Sequence, residues 1–110
     1  MATMNEILVF MTAQNEGEAA SIARALVEAG LAGCVNIIKD IRSIYSWQGK
    51  TEDEKEVLMI AKTRMELFKA IERRVKELHS YAVPEIIAVQ IVEGSQDYLK
   101  WLGEVTARQE

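Results

Sequence analysis

The feature that most constrains this chain is a set of short apolar runs that are hydrophobic on both sides, separated by stretches of helical period. Residues 7–13 read Ile-Leu-Val-Phe-Met-Thr-Ala and residues 57–61 read Val-Leu-Met-Ile-Ala. Each is too short for a buried helix and β-branched or aromatic enough for a strand covered on both faces. Between them, Ala19, Ile22, Ala23, Leu26, Val27 and Gly30 mark one face of a helix. Polar groups at Thr12, Gln14, Asn15 and Glu16 are able to cap its start, and Gly30 is placed to end it in a left-handed conformation.

A second strand opens at Cys34. Its alternation passes through Val35 and Ile37, meets Lys39-Asp40, and resumes at Ile41, Ile44, Tyr45 and Trp47. Lys39-Asp40 is either a bulge or a turn; the absence of glycine there favours one long, bent strand ending at Trp47. Gln48-Gly49-Lys50-Thr51 and the charged run after it are expected to form a polar, solvated hairpin tip leading into the strand at 57–61. Met65, Phe68, Ile71, Val75 and Leu78 then form a helical stripe ending near His79-Ser80. Pro84, the only proline, sets the start of a fourth strand over 85–92, and Ser95 offers an N-cap for a last helix carrying Tyr98, Leu99, Leu102 and Val105.

The order β-α-β-β-α-β-α predicts an α+β fold of ferredoxin-like βαββαβ type with an additional C-terminal helix. Its two βαβ halves are drawn at roughly 7–47 and 55–92, within one domain spanning 1–110. Right-handed crossovers place both long helices on one face of the sheet. The other face is then left apolar and open, which predicts an oligomer.

Composition excludes several function classes. With 13 Lys+Arg against 17 Asp+Glu the net charge is −4, so nucleic acid is not an expected partner. No apolar segment approaches the ~20 residues that span a bilayer, and the first residues lack a basic signal-peptide start, so the expected location is cytoplasmic and no membrane partner is expected. One cysteine, Cys34, and one histidine, His79, leave a Cys34–His79 nucleophile–base pair as the only thiol wiring to consider, with a small buried hydrophobe as the simpler role for Cys34. A closed zinc site needs about four donors, more than one chain gathers, although a symmetric assembly could bring copies of His79, Cys34 or Glu85 together. Met11 adds a soft thioether for copper. For Trp47 a subunit interface is expected. Glu85, beside His79 and Tyr81, would join an acid, an imidazole and a phenol, with Lys62 at a shared edge.

Five linked motifs carry a family resemblance: Ala32-Gly33-Cys34-Val35-Asn36-Ile37-Ile38; Ser43-Ile44-Tyr45-Ser46-Trp47-Gln48-Gly49-Lys50; Lys62-Thr63; His79-Ser80-Tyr81-Ala82-Val83-Pro84-Glu85-Ile86; and Tyr98-Leu99-Lys100-Trp101-Leu102. In this order and spacing, from Ile7 to Leu102, the chain resembles the CutA family of divalent-cation tolerance proteins. The resemblance implies a homotrimer in which the long second and third strands join neighbours. It also implies divalent ions, chiefly copper, as ligands in metal tolerance, and no enzymatic reaction. A copper site proposed in the family uses a cysteine and two adjacent histidines. At the matching positions this chain has Met11, Leu78 and His79, and only His79 keeps its ligand type. The metal candidates are therefore His79, Glu85 and Met11, and Trp47, Lys62 and Tyr81 are expected to share a ligand cleft with them. Lysine, histidine and phenol suit a small anion, whereas histidine with carboxylate suits a divalent cation. The alternative function is thus a PII-like signalling trimer binding a small anion between subunits, and a purely structural trimer is a third.

Overall fold

The computed structural model describes residues 5–106. Its elements are β1 (Glu6–Ala13), α1 (Glu16–Glu28), β2 (Cys34–Trp47), β3 (Lys50–Arg64), a 3-10 turn (Met65–Leu67) running into α2 (Phe68–Leu78), β4 (Ile86–Gln90) and α3 (Gln96–Thr106). Local chemistry sets the boundaries of the first helix. The Asn15 side chain accepts the Glu18 N–H at 2.8 Å as the α1 N-cap, and Gly30 ends the helix at φ 74°.

The four strands form one antiparallel sheet in the order β2-β3-β1-β4. Register decides the faces, because side chains alternate. Val9 stands opposite Ala61 and Ala88, and Met11 opposite Met59 and Ile86. Ile7, Val9, Met11, Met59 and Ala61 are buried beneath Ile22 and Leu26 of α1 and Ile71 and Val75 of α2, which form the core.

The other face is only partly covered. At one end α3 lies over Arg64, whose guanidinium donates to the Thr106 hydroxyl (3.0 Å) and carbonyl (2.6 Å). Gly33 allows the close approach of this helix, since a Cβ there would stand 2.5 Å from Leu102 Cδ1. Further along the face, Ile38, Ile87 and Val89 remain 42%, 56% and 48% exposed.

Beyond this body, β2 and β3 continue as a two-stranded arm that helps extend the molecule to 49 Å along its long axis. The bulge expected at Lys39-Asp40 is present: the register shifts between Ile38 and Ile41, and Asp40 takes φ 62°. The expected hairpin tip needs correction. The turn is only Gln48-Gly49, both at positive φ (50° and 81°), and the charged run behind it is strand from Lys50 onward. Cross-strand pairing accounts for the difference. Ile41, Ile44, Tyr45 and Trp47 favour extension of β2, and Arg42 clamps Asp53 opposite through two bonds of 2.9 and 2.6 Å. Two boundaries also shift: Met65–Leu67 is 3-10 rather than α, and β4 is shorter than 85–92, because its pairing with β1 ends at Ile7 opposite Gln90.

Met59 has no exposed surface and sits at the centre of the sheet's buried face. Met59→Ala should therefore cost about 2–5 kcal/mol. The check is a lower urea midpoint at unchanged slope and fixed protein concentration.

Candidate functional site

The site begins where α2 stops. His79 leaves the helix with extended backbone (φ −82°, ψ 143°), which turns its ring back toward β1 and sends the chain through Ser80 to Pro84 into β4. The imidazole has no exposed surface. Its Nδ1 accepts the Tyr81 backbone N–H at 3.0 Å, so the proton belongs on Nε2, which donates to the Thr12 carbonyl at 2.7 Å. Glu18 of α1 flanks the ring, 3.8 Å from Nδ1, and accepts from the Ser80 backbone N–H (2.7 Å) and hydroxyl (3.1 Å). Burial pushes the Glu18 carboxyl up, but the hydrogen bonds from Ser80 and Gln14, together with the neighbouring His79, outweigh it and hold the group below the ordinary range.

This brace positions Tyr81. The His79 and Tyr81 rings lie 4.6 Å apart, and the Tyr81 hydroxyl donates to Glu56 Oε2 at 2.7 Å. Burial, then the bond to Glu56 and its charge, push the phenol well above its usual range, so it stays a neutral donor. Glu56 is only 8% exposed and, among the described residues, has no cationic partner. Glu85 lies close enough to feel it: burial, and then the Glu56 charge, raise the Glu85 carboxyl.

These groups line a cleft of about 720 Å³ between the arm and the 81–85 loop. Tyr45 and Trp47 supply the arm wall, Tyr81 and Glu85 the loop wall, and Glu56 also lines it. Burial, then Glu54, Glu52 and Glu56, push Tyr45 upward as well, so the field is negative. Arg42 lines the cleft too, but its guanidinium is held by Asp53.

Of the six expected site residues, Trp47, Tyr81 and Glu85 meet at this cleft. His79 stands behind Tyr81 as its support. Lys62 shares its sheet face with Glu56 but stands six positions further along β3, opposite Cys34, where it donates to Asn36. Met11 is wholly buried in the core. His79, Glu85 and Met11 therefore do not form one donor set within the chain, and among the described residues no three His, Cys, Asp or Glu are grouped to hold a metal ion. A small anion likewise finds neither Lys62 nor an unpaired arginine here. Cys34 opens β2 opposite Lys62 and makes no bond to His79, whose nitrogens are both taken.

Sequence reasoning missed Glu56, hidden in the run expected to be a solvated turn. The signal for it is the bulge: Glu56 is the first residue to pair beyond it, opposite Ile41.

Residues 7–105 match the family model for the CutA1 divalent ion tolerance protein, and the chain belongs to this family. The divalent-cation tolerance protein CutA of Thermus thermophilus is 48% identical over 101 residues, covering 92% of this chain and 98% of that protein. Protein CutA of Mus musculus is 47% identical over 97 residues, 88% of this chain; the chain spans 55% of that relative's length. Among solved structures, CutA1 from Oryza sativa superposes with a TM-score of 0.91 at 40% identity, covering 94% of this chain and 95% of that one. The T. thermophilus structure gives 0.90 at 48% identity, covering 92% and 98%.

The raised Glu85 carboxyl has a linked consequence for stability. A carboxyl raised by folding contributes stability below its unfolded value, ~4.3, and loses it as pH climbs through the folded value. Glu85→Gln imitates the protonated form, so it should raise the thermal midpoint at pH 7. That gain should vanish near pH 4, which paired melting curves will check.

Proposed function

We propose that this chain acts in divalent-ion tolerance as a non-enzymatic, cytoplasmic homotrimer that binds the ion at the cleft, with Glu56 and Glu85 as donors. The carrying observation is Glu56 itself. Among the described residues the Tyr81 hydroxyl is the one hydrogen-bond partner of this largely buried carboxylate, and Glu85 feels its charge, so the two acids offer oxygen donors to a cation entering the cleft.

Two carboxylates are too few for a complete first shell, so water or a second copy has to supply the rest. The exposed apolar face supports assembly, because Ile38 on one edge strand and Ile87 and Val89 on the other stay exposed on the face away from α1 and α2. The donor chemistry also bears on the choice of ion. Oxygen ligands suit hard and borderline ions, and among first-row divalent ions at a given site Cu2+ binds tightest, so copper enters as Cu2+ through oxygen rather than through the Met11 thioether. A binding role fits the commitment of both His79 nitrogens to backbone groups, which leaves the imidazole no free site for base catalysis.

Calorimetric titration of Cu2+ and Zn2+ into chelator-stripped protein tests the reading. Glu56→Gln and Glu85→Gln should each weaken binding by about tenfold or more, or about 1.4 kcal/mol. Met11→Leu should leave it unchanged. Unaltered affinity in both carboxylate variants, or loss in Met11→Leu, overturns the assignment. Light scattering should give three times the 12.4 kDa of one chain; a monomer mass at micromolar concentration rejects the trimer.

A further inference from the structure

The turn that follows α2 contains a competition for one nitrogen. His79 Nδ1 accepts the Tyr81 backbone N–H at 3.0 Å, while the Glu18 carboxylate stands 3.8 Å from the same atom. As long as Nδ1 carries no proton, the amide holds it and the carboxylate has nothing to accept from the ring. A proton on Nδ1 reverses the choice. Both ring nitrogens are then donors, the Tyr81 N–H loses its acceptor, and Glu18 gains an imidazolium to pair with. The Nε2–H bond to the Thr12 carbonyl serves both states, so the ring stays anchored to β1.

The groups that face the ring are few. α1 presents Glu18, β1 the Thr12 carbonyl, and the loop Tyr81 as a neutral phenol, with Glu56 of β3 behind it on the Tyr81 hydroxyl. On its own helix, Lys76 is paired with Glu72 and Glu77 with Arg74. Among the described residues no Lys or Arg pairs with Glu18, whose other partners are the Ser80 and Gln14 donors. The ring has no exposed surface and the Glu18 side chain keeps 13%, so a proton reaches the pair from the Glu18 side. These contacts lie within one chain and the ring is out of water without any neighbour, so the arrangement does not depend on what covers the arm. Imidazole is also the side chain whose charge ordinarily changes between about pH 5 and 8.

We infer that His79 and Glu18 form a proton-operated latch on Tyr81. The neutral imidazole holds the Tyr81 backbone and, through it, the hydroxyl on Glu56; a proton on Nδ1 moves the ring's bond to Glu18 and releases Tyr81. The latch is closed at neutral and higher pH and opens on acidification. Its only covalent change is the Nδ1–H bond formed with a proton taken from solvent. Partners that orient a ligand carboxylate commonly govern metal affinity by about 10–100-fold, so release of Tyr81 weakens a cation held by Glu56. That consequence rests on the reading of the cleft as a cation site, whereas the latch itself does not.

The test is nitrogen-15 NMR on the full chain, free of metal, in which a single histidine gives one unambiguous pair of ring nitrogens. Their shifts should show the Nε2–H tautomer at about pH 8 and convert to imidazolium as pH falls toward about 5. The Tyr81 amide proton should move upfield with the same midpoint. Glu18→Gln keeps an acceptor for Ser80 but removes the charge, so it should lower that midpoint by about one pH unit, tenfold in proton affinity. A ring that stays neutral down to about pH 5, a Tyr81 amide that ignores the ring's titration, or an unchanged midpoint in Glu18→Gln overturns the latch. Calorimetry with Cu2+ on the same two proteins scores the consequence. Affinity should fall by about tenfold as pH drops through the midpoint, and in Glu18→Gln the fall should move down with it. The same pH dependence in both proteins overturns the control of the site by the latch. No Cu2+ binding at any pH overturns the metal reading instead, and the ring and amide signals still decide the latch.

Discussion

A strand that is apolar on both faces has to be covered twice, and most of this architecture answers that constraint. β1 sits between β3 and β4 and is buried on one side by α1 and α2. On the other side only α3 is available, and it reaches one end, held by Arg64 and admitted by the missing side chain at Gly33. The strip left over is rich in Ile and Val, residues whose exposure to water is unfavourable by about 25 cal/mol per Å². Covering it is what the proposed assembly would do, which makes fold and assembly parts of one hydrophobic problem.

The acidic cleft depends on that body at second hand. His79 is the link: one nitrogen holds the Thr12 carbonyl of β1, and the other receives the Tyr81 N–H. Moving the ring would release the start of the 81–85 loop, and with it the hydroxyl that stabilises Glu56. The histidine is thus a positioning residue, which explains how the site keeps its shape even though Leu78 and Met11 occupy neighbouring positions as packing groups.

How legible all this was in the sequence differs by level. Strand and helix periods located the seven main elements, and the Lys39-Asp40 interruption marked the bulge, because those signals are local. The charged arm strand was opaque because Lys50 to Glu56 has poor intrinsic strand preference and becomes extended only by pairing with an apolar, aromatic partner. Lys62 and Met11 were misplaced for a related reason. Alternation sets which residues share a face, but how far along β3 the 81–85 loop meets the sheet, and which face the helices bury, follow from tertiary packing. Trp47, Tyr81 and Glu85 were found because two motifs carry them, whereas Glu56 lay between motifs.

Why such a chain keeps a buried glutamate is the remaining physical question. Taking a carboxylate out of water is costly, and the single Tyr81 bond returns only about 1.5–3 kcal/mol, the usual worth of a hydrogen bond to a charged group. Simple stability would favour glutamine or an apolar residue at that position, and would not set Glu85 beside it. Arg42, paired opposite Lys55, has its guanidinium on Asp53 and makes no ion pair with either acid. Two carboxylates within each other's field, with no ion-pair partner among the described residues and with aromatic rings beside them, are the arrangement on which the proposed cation site rests.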